Sequence, residues 1–100
     1  MTKPLNPWHP IADACDLKHL GKLSEELGEC QAAVSRCVIQ GVFEVHPETG
    51  KPNDLWLTEE LADAIANVNL VVERFGLDRT FIHERSRRKY DRLKTWHDMA

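Results

Sequence analysis

Two stripes of apolar residues at helical spacing, separated by a segment rich in proline and glycine, most constrain the fold of this 100-residue chain. In the first stripe, apolar side chains recur at alternating steps of three and four: Leu20, Leu23, Leu27, Cys30, Val34 and Cys37. This is the spacing of a narrow face that packs on other helices, and it predicts a helix from about residue 16 to residue 41. Gly21 and Gly28 interrupt good helix formers, which predicts close approach of a neighbour or a ligand at these two positions.

The second stripe has the same periodicity and comprises Leu57, Leu61, Ile65, Val68, Val72 and Phe75. Thr58, followed by two glutamates, is a typical N-cap before an acidic first turn, and Gly76 is a typical stop. We therefore expect a second helix from Thr58 to Phe75. Asp78 or Thr80 then caps a third helix, which carries many basic residues up to the end of the chain.

The remaining segments are predicted to be irregular. Three prolines in residues 1–10 predict an irregular N-terminal arm, and prolines and glycines in residues 42–57 predict an inter-helix loop. No segment has the period of a strand, so we expect a single all-α domain over residues 1–100, built as an antiparallel helical bundle. Its helices present more apolar surface than three helices bury alone, which predicts that oligomerisation to a homodimer or homotetramer completes the bundle.

Charge and cysteine content narrow the class of protein. A net charge of -3 gives no electrostatic attraction to a nucleic-acid polymer. The chain has no apolar run that spans a membrane and no pattern of a signal peptide, and its three cysteines form no disulfide framework. We therefore expect a cytoplasmic protein that binds neither nucleic-acid polymers nor membranes.

Acidic residues flank both apolar stripes. At about 100° per residue, Glu26 and Glu29 lie within about 60° of each other on one flank of the first stripe, and Glu60 and Asp63 have the same relation on the second. Lys22 and Asn67 share these sectors, whereas Glu25 points farther away. If the helices pack antiparallel, the two flanks bring four carboxylates together, which is the ligand type that Mg²⁺ or Mn²⁺ prefers.

Each acidic pair alone is typical of a solvated helix face. Two pairs on corresponding flanks of neighbouring helices leave the metal site and the solvated face as balanced interpretations of the residues.

The motifs add a resemblance to a known family. The stretch "EELGE" from Glu25 to Glu29 fits EExxE, and "ELAD" from Glu60 to Asp63 fits ExxD. This pair, in this order, resembles the all-α nucleoside triphosphate pyrophosphohydrolase superfamily, which includes the MazG-like enzymes. The resemblance covers roughly residues 20–93 and extends to the surrounding phrases "KLSEELGE" and "EELADAIANVNLV".

The resemblance implies Mg²⁺-dependent cleavage of a nucleoside triphosphate to the monophosphate and pyrophosphate, in nucleotide-pool housekeeping. By position it implies metal ligation by Glu26, Glu29, Glu60 and Asp63, and a catalytic role for Glu25, which would orient or deprotonate the attacking water, together with Glu26. The stretch "RRKYDRL" is similar to a family motif of the type N-x-K-F-x-R, which implies that Lys89, Tyr90 and Arg92 contact the triphosphate.

The chain departs from the family pattern at two places. Arg87 stands where the motif usually has asparagine, and the interval between the two acidic motifs is slightly longer than usual. These differences bear on the substrate rather than on the fold.

Three questions stay open at this stage. Lys22 and Asn67 are either substrate-binding or plain surface residues. Trp8, Trp56 and Trp96 are packing anchors, or one or two of them stack on a base. The third question is the function. The enzyme accepts nucleoside triphosphates in general or is a specialist for dUTP or dCTP, and the alternative from another class is a non-catalytic helical module that binds a protein partner.

Overall fold

The fold is known from a computed structural model that describes residues 7–100. Three helices follow one another along the chain: α1 from Ala14 to Gln40, α2 from Asn53 to Phe75 and α3 from Arg79 to Trp96. Residues 7–100 contain no strand, only an isolated antiparallel bridge between Val45 and Pro52. The prediction of an all-α chain is confirmed over these residues. Residues 7–10 are irregular as predicted, and the rest of the predicted arm lies outside the described residues.

Helices α1 and α2 form an antiparallel pair, and contacts at both ends fix their register. At one end, the Asn53 side-chain amide donates to Gln40 Oε1 (3.0 Å) and to the Gly41 carbonyl oxygen (2.9 Å). At the other end, Arg74 Nε donates to Asp16 Oδ1 (2.8 Å). The start of α2 therefore meets the end of α1, and the end of α2 meets the start of α1.

A thin apolar core lies between α1 and α2. It consists of small residues, chiefly Ala33, Cys37, Ala64, Val71 and Val72. Within this pair, Glu26 and Asn53 are polar yet buried. Most of the predicted apolar stripe stays accessible, including Leu27 and Val34 on α1 and Ile65 on α2.

Helix α3 leaves the α1–α2 pair rather than packing along it. None of its residues is buried. The radius of gyration is 18.5 Å and the longest dimension is 64 Å, whereas a compact domain of this length has a radius of gyration of about 13 Å. The chain is thus elongated, with a helical pair and one projecting helix.

The end of α2 and the start of α3 lie where the sequence predicted them. Asp78 caps α3, because its Oδ1 accepts from the Phe81 N–H at 2.9 Å. Gly76 ends α2 in the left-handed conformation with a φ of 59°, which glycine adopts without strain. Gly76 was the predicted stop of α2, and Asp78 is one of the two predicted caps of α3, the other being Thr80.

Helix α2 begins earlier than predicted. Thr58 is not an N-cap but lies inside the helix, where its hydroxyl donates to the Asp54 carbonyl oxygen one turn back, at 2.7 Å. Such a bond lets threonine occupy a helix interior. The predicted loop over 42–57 therefore shortens to residues 41–52, and Pro52 is the N-cap residue of α2.

Three smaller differences concern α1, α3 and the glycines. Helix α1 begins at Ala14 because Asp13 caps it, with its carboxylate accepting from the Asp16 N–H at 2.9 Å. Helix α3 ends at Trp96 rather than at the end of the chain. The predicted close approach at Gly21 and Gly28 is wrong for neighbours within the chain, because no described residue lies near the space that a Cβ would occupy there.

No described helix combines the length and hydropathy that a membrane span needs.

Candidate metal site

The register of α1 and α2 brings three of the four predicted ligands together. Oxygen atoms of Glu26, Glu60 and Asp63 all lie within 4.8 Å of one another. We call these three residues the acidic triad. Glu26 is buried at 7% exposure, Glu60 is half-buried and Asp63 is exposed, so solvent reaches the triad at Asp63.

Two oxygens of the triad are buried without a hydrogen-bond partner. Among the described residues, neither Glu26 Oε2 nor Glu60 Oε2 has a donor. A buried acceptor left unpaired is unfavourable, by about 1 to 3 kcal/mol and more when it is charged. A divalent cation bound by the triad would satisfy both oxygens and offset the three charges, so the residues fit such an ion.

The other oxygens of these two glutamates have partners. Trp56 Nε1 donates to Glu60 Oε1 at 3.3 Å, one helical turn before it on α2. Lys22 Nζ lies 3.6 Å from Glu26 Oε1, also one turn away. Each glutamate is therefore held by one oxygen, and its other oxygen is buried without a hydrogen-bond partner among the described residues.

Glu29, the fourth predicted ligand, lies beside the triad without belonging to it. Its carboxylate is exposed, and no oxygen of it is within the 4.8 Å cluster. The negative charge of Glu26 raises the pKa of Glu29, with smaller contributions from desolvation, Glu60 and Glu25. Glu29 is thus coupled electrostatically to Glu26 and Glu60, although it lies outside the triad.

The predicted catalytic helper, Glu25, is not part of the triad. Its Oε1 accepts from Lys22 Nζ at 3.3 Å, and both side chains are about half exposed. This hydrogen bond is the main cause of the raised pKa of Lys22, with the charges of Glu25 and Glu26 adding to it. Lys22 is therefore occupied by two glutamates and bridges the triad to Glu25.

The predicted substrate-binding residues are not gathered at the triad. Asn67 donates from its side chain to the Asp63 backbone carbonyl at 2.9 Å, not to the Asp63 carboxylate. Lys89, Tyr90 and Arg92 lie on α3, where their described contacts are local. Lys94 Nζ lies 4.7 Å from the centre of the Tyr90 ring, and the Arg92 guanidinium lies 5.5 Å from that of Trp96.

Lys89 and Arg92 belong instead to a basic cavity on α3. The cavity has a volume of about 200 Å³ and is lined by Arg85, Arg88, Lys89 and Arg92. Such a concentration of positive charge suits an anion with several oxygens. The described contacts of α3 do not link this cavity to the triad of the same chain.

Sequence reasoning missed the role of Trp56 in holding Glu60. The spacing of four residues on one helix face was a usable signal, because side chains at i and i+4 are neighbours on a helix. The assignment of Thr58 as the helix start concealed it, since that placed Trp56 in a loop.

Comparison of the chain with protein-family models, curated proteins and solved structures found no match. The resemblance to the pyrophosphohydrolase superfamily therefore depends on the two acidic motifs, and the geometry above is an independent description of the same residues.

Proposed function

We propose that this chain is a Mg²⁺-dependent nucleotide pyrophosphohydrolase, which cleaves a nucleoside triphosphate to the monophosphate and pyrophosphate. The observation that carries the proposal is the acidic triad, with oxygens of Glu26, Glu60 and Asp63 within 4.8 Å and two of these carboxylates each holding a buried, unpaired oxygen. The motif resemblance supplies the reaction. Mn²⁺ is an alternative ion, because the all-oxygen ligand set suits both.

The chain's own residues have separable roles in this proposal. Glu26, Glu60 and Asp63 would hold the cation, and the neighbouring Glu29 would be a fourth ligand. When bound, Mg²⁺ supplies charge neutralisation for the phosphate oxygens and activation of water. Glu25 and Lys22 form an ion pair at the rim of the site, so we assign them to positioning Glu26 rather than to proton transfer.

A second element of the proposal is a homodimer or homotetramer. Helix α3 buries none of its residues, and Val38 near the end of α1 and Phe43 in the α1–α2 loop are 80% and 85% exposed. A groove of about 450 Å³ also lies open between α2 and α3, and Ile65, Val68, Val72 and Ile82 form the apolar part of its lining. Burial of this surface against further copies supplies the core that one chain lacks, and brings the basic cavity of one α3 within reach of another copy's triad.

The direct test is release of pyrophosphate from a panel of canonical and modified nucleoside triphosphates, with Mg²⁺ and with a chelator. We expect Mg²⁺-dependent release, and a loss of about 100-fold or more in kcat/KM for Asp63→Asn, because a ligand to a catalytic ion contributes several kcal/mol. Asp91→Asn is the matched control, since Asp91 is an exposed aspartate on α3 outside the triad. No turnover of any nucleotide by the folded wild type refutes the proposal.

The alternative function is a non-catalytic helical module that binds a protein partner. The same exposed apolar surface favours it. Two measurements distinguish the two functions. A binding module keeps its affinity for the partner in Asp63→Asn, and its thermal stability does not increase with Mg²⁺. Light scattering of the purified chain tests the oligomer independently, and a monomer at micromolar concentration contradicts the oligomer.

A further inference from the structure

A pocket formed by the α1–α2 loop and the start of α2 lies next to the acidic triad and has one residue in common with it. It has a volume of about 260 Å³ and is lined by His46, Thr49, Lys51, Trp56 and Glu60. Glu60 belongs to both, because its Oε1 accepts from Trp56 in the pocket while it contributes an oxygen to the triad. A ligand in this pocket would therefore be a direct neighbour of anything held at the triad.

The loop that forms the pocket is held in place by its own hydrogen bonds. His46 N–H donates to the Lys51 carbonyl oxygen and the Gly50 N–H donates to the His46 carbonyl oxygen, both at 2.9 Å. His46 Nδ1 also accepts from the Glu48 and Thr49 N–H groups at 3.1 and 3.3 Å. The loop is thus shaped before any ligand binds, which lowers the entropy lost on binding.

These hydrogen bonds also determine the tautomer of His46. Because Nδ1 accepts two N–H groups, the ring proton lies on Nε2. His46 Nε2 has no hydrogen-bond partner among the described residues, and the Thr49 hydroxyl keeps its proton as a second donor because its oxygen accepts from the Lys51 N–H. The pocket therefore combines a small number of polar groups with an otherwise apolar lining.

Two aromatic rings shape the pocket. Trp56 is half-buried, and the His46 ring meets it edge-on with centroids 6.2 Å apart and planes at 80°. The hydrogen bond to Glu60 fixes the orientation of the indole. An indole of fixed orientation, with the His46 Nε2–H and the Thr49 hydroxyl as nearby donors, is an arrangement that binds flat heteroaromatic rings by stacking.

The pocket does not suit a phosphate group. Its one cationic residue, Lys51, is paired, since Nζ donates to Glu59 Oε2 at 2.8 Å. The neighbouring Glu60 adds negative charge. The volume is also slightly below the roughly 300 to 1,000 Å³ of sites that enclose drug-sized ligands, and fits a single ring system.

We infer that this pocket binds the nucleobase of a nucleotide whose phosphates lie at the acidic triad, with Trp56 as the stacking residue and His46 and Thr49 as the groups that select the base. The inference rests on the proposed function for the position of the phosphates. It goes further by assigning base recognition to the α1–α2 loop and by selecting Trp56 among the three tryptophans.

The test is equilibrium binding measured by calorimetry in the presence of a chelator, with nucleosides and ribose as probes. The probes carry no phosphate, because the carboxylates of the triad repel a phosphate when no cation is bound. The four common nucleosides differ only in the base, and ribose lacks it. We expect at least one nucleoside to bind about tenfold or more tightly than ribose, since stacking on an aromatic residue contributes a factor of this size or larger. Equal affinity of all five probes, or no detectable binding of any, overturns the inference.

Two variants locate the binding. Trp56→Leu is expected to lose about tenfold in affinity for the preferred nucleoside, whereas the control Trp96→Leu, at a tryptophan that is 74% exposed on α3, is expected to lose none. Thr49→Trp fills the pocket from an exposed loop position without altering the α1–α2 core, and is expected to lose as much. Unchanged affinity in Thr49→Trp, or an equal loss in Trp96→Leu, contradicts the inference.

These measurements separate the inference from the proposed function. The probes are not substrates and the chelator removes divalent cations, so binding is independent of turnover. Base-dependent binding with no pyrophosphate release refutes only the proposed function, and release that Thr49→Trp leaves unchanged for every nucleotide refutes only the pocket.

Discussion

Replacing Asp63 by asparagine should stabilise the protein without divalent cations and destabilise it, relative to wild type, with them. The triad oxygens lie within 4.8 Å. At that distance two unit charges repel by about 0.9 kcal/mol in water and by about 3.5 kcal/mol at the effective dielectric constant of about 20 found near protein surfaces. Because Asp63 is exposed, we take the lower end for each of its two neighbours and expect about 1 to 2 kcal/mol of relief.

The assay is thermal unfolding followed by circular dichroism, in a chelator and in a Mg²⁺ series. For a domain of this size, 1 kcal/mol shifts Tm by about 4 to 8 °C, so Asp63→Asn should melt several degrees above wild type in the chelator. Wild type should gain about 2.7 kcal/mol when Mg²⁺ reaches 100 times its Kd. The variant lacks a ligand and should gain far less, so the two melting curves exchange order as Mg²⁺ rises.

Asp91→Asn is the control, since it makes the same chemical change on α3. It should shift Tm equally at every Mg²⁺ concentration. The reasoning fails if Asp63→Asn melts below wild type in the chelator, or if Mg²⁺ raises Tm by the same amount in both. Either result would mean that the three carboxylates neither repel one another nor share a cation.

Three further predictions concern stability. Asn53→Ala should lower the free energy of unfolding by about 1 to 3 kcal/mol in urea melts, because the fully buried Asn53 side chain makes two hydrogen bonds to partly buried acceptors at the end of α1 and the variant loses both. Asn67→Ala, which loses only a bond within its own helix, should change it little, and equal losses would contradict the reasoning. The pKa of Glu29 is raised in the folded state, so its contribution to stability is full below the ordinary glutamate pKa of about 4.3 and is lost as pH rises through the raised value. Glu29→Gln should therefore melt higher than wild type at pH 7 in a chelator, and pH-dependent melts should show the gain vanish in acid. The pKa of Asp13 is lowered, first by the Asp16 N–H and also by Arg74. Asp13→Ala should therefore lower Tm at pH 7, and this loss should fade as pH falls below about 3.9. A loss of Tm that does not depend on pH would show that the charge of Asp13 has no part.

The sequence predicted the elements of the fold better than their relation to one another. Apolar periodicity located α1 and α2, and residue types predicted the stop at Gly76 and a third helix capped by Asp78 or Thr80, of which the structure has Asp78. Periodicity gives no information about whether a third helix packs on the first two, because an exposed and a buried apolar face have the same spacing. The projection of α3 is therefore a property of the tertiary structure that the sequence pattern did not contain.

The candidate site was predictable to a similar extent. Helical spacing put Glu26 and Glu29 on one flank, and an antiparallel pair was expected to bring both to Glu60 and Asp63. The structure brings Glu26 to them and leaves Glu29 beside the cluster, since angular position on a helix does not determine how deep a side chain lies. The roles of Lys89 and Arg92 stay predictions, because a second copy would have to supply them.

The hydrogen bonds of Asn53 to the end of α1 align the two helices, so this alignment does not depend on the conformation of most of the loop. Cys37 Sγ donates to the Asn53 carbonyl oxygen at 3.9 Å, and Arg74 binds Asp16 at the opposite end. Each step forward on α1 is a step back on α2, so Asp63, ten residues after Asn53, comes beside Glu26, eleven residues before Cys37. Glu44 and Val45 take part in this alignment, because their carbonyl oxygens accept from the Asn53 N–H and the Gln40 side chain, both at 2.9 Å. Residues 46–51 lie outside it. Insertions, deletions or replacements in residues 46–51 can therefore alter what the pocket selects while the carboxylates keep their places, so that selectivity and cation binding are free to diverge separately.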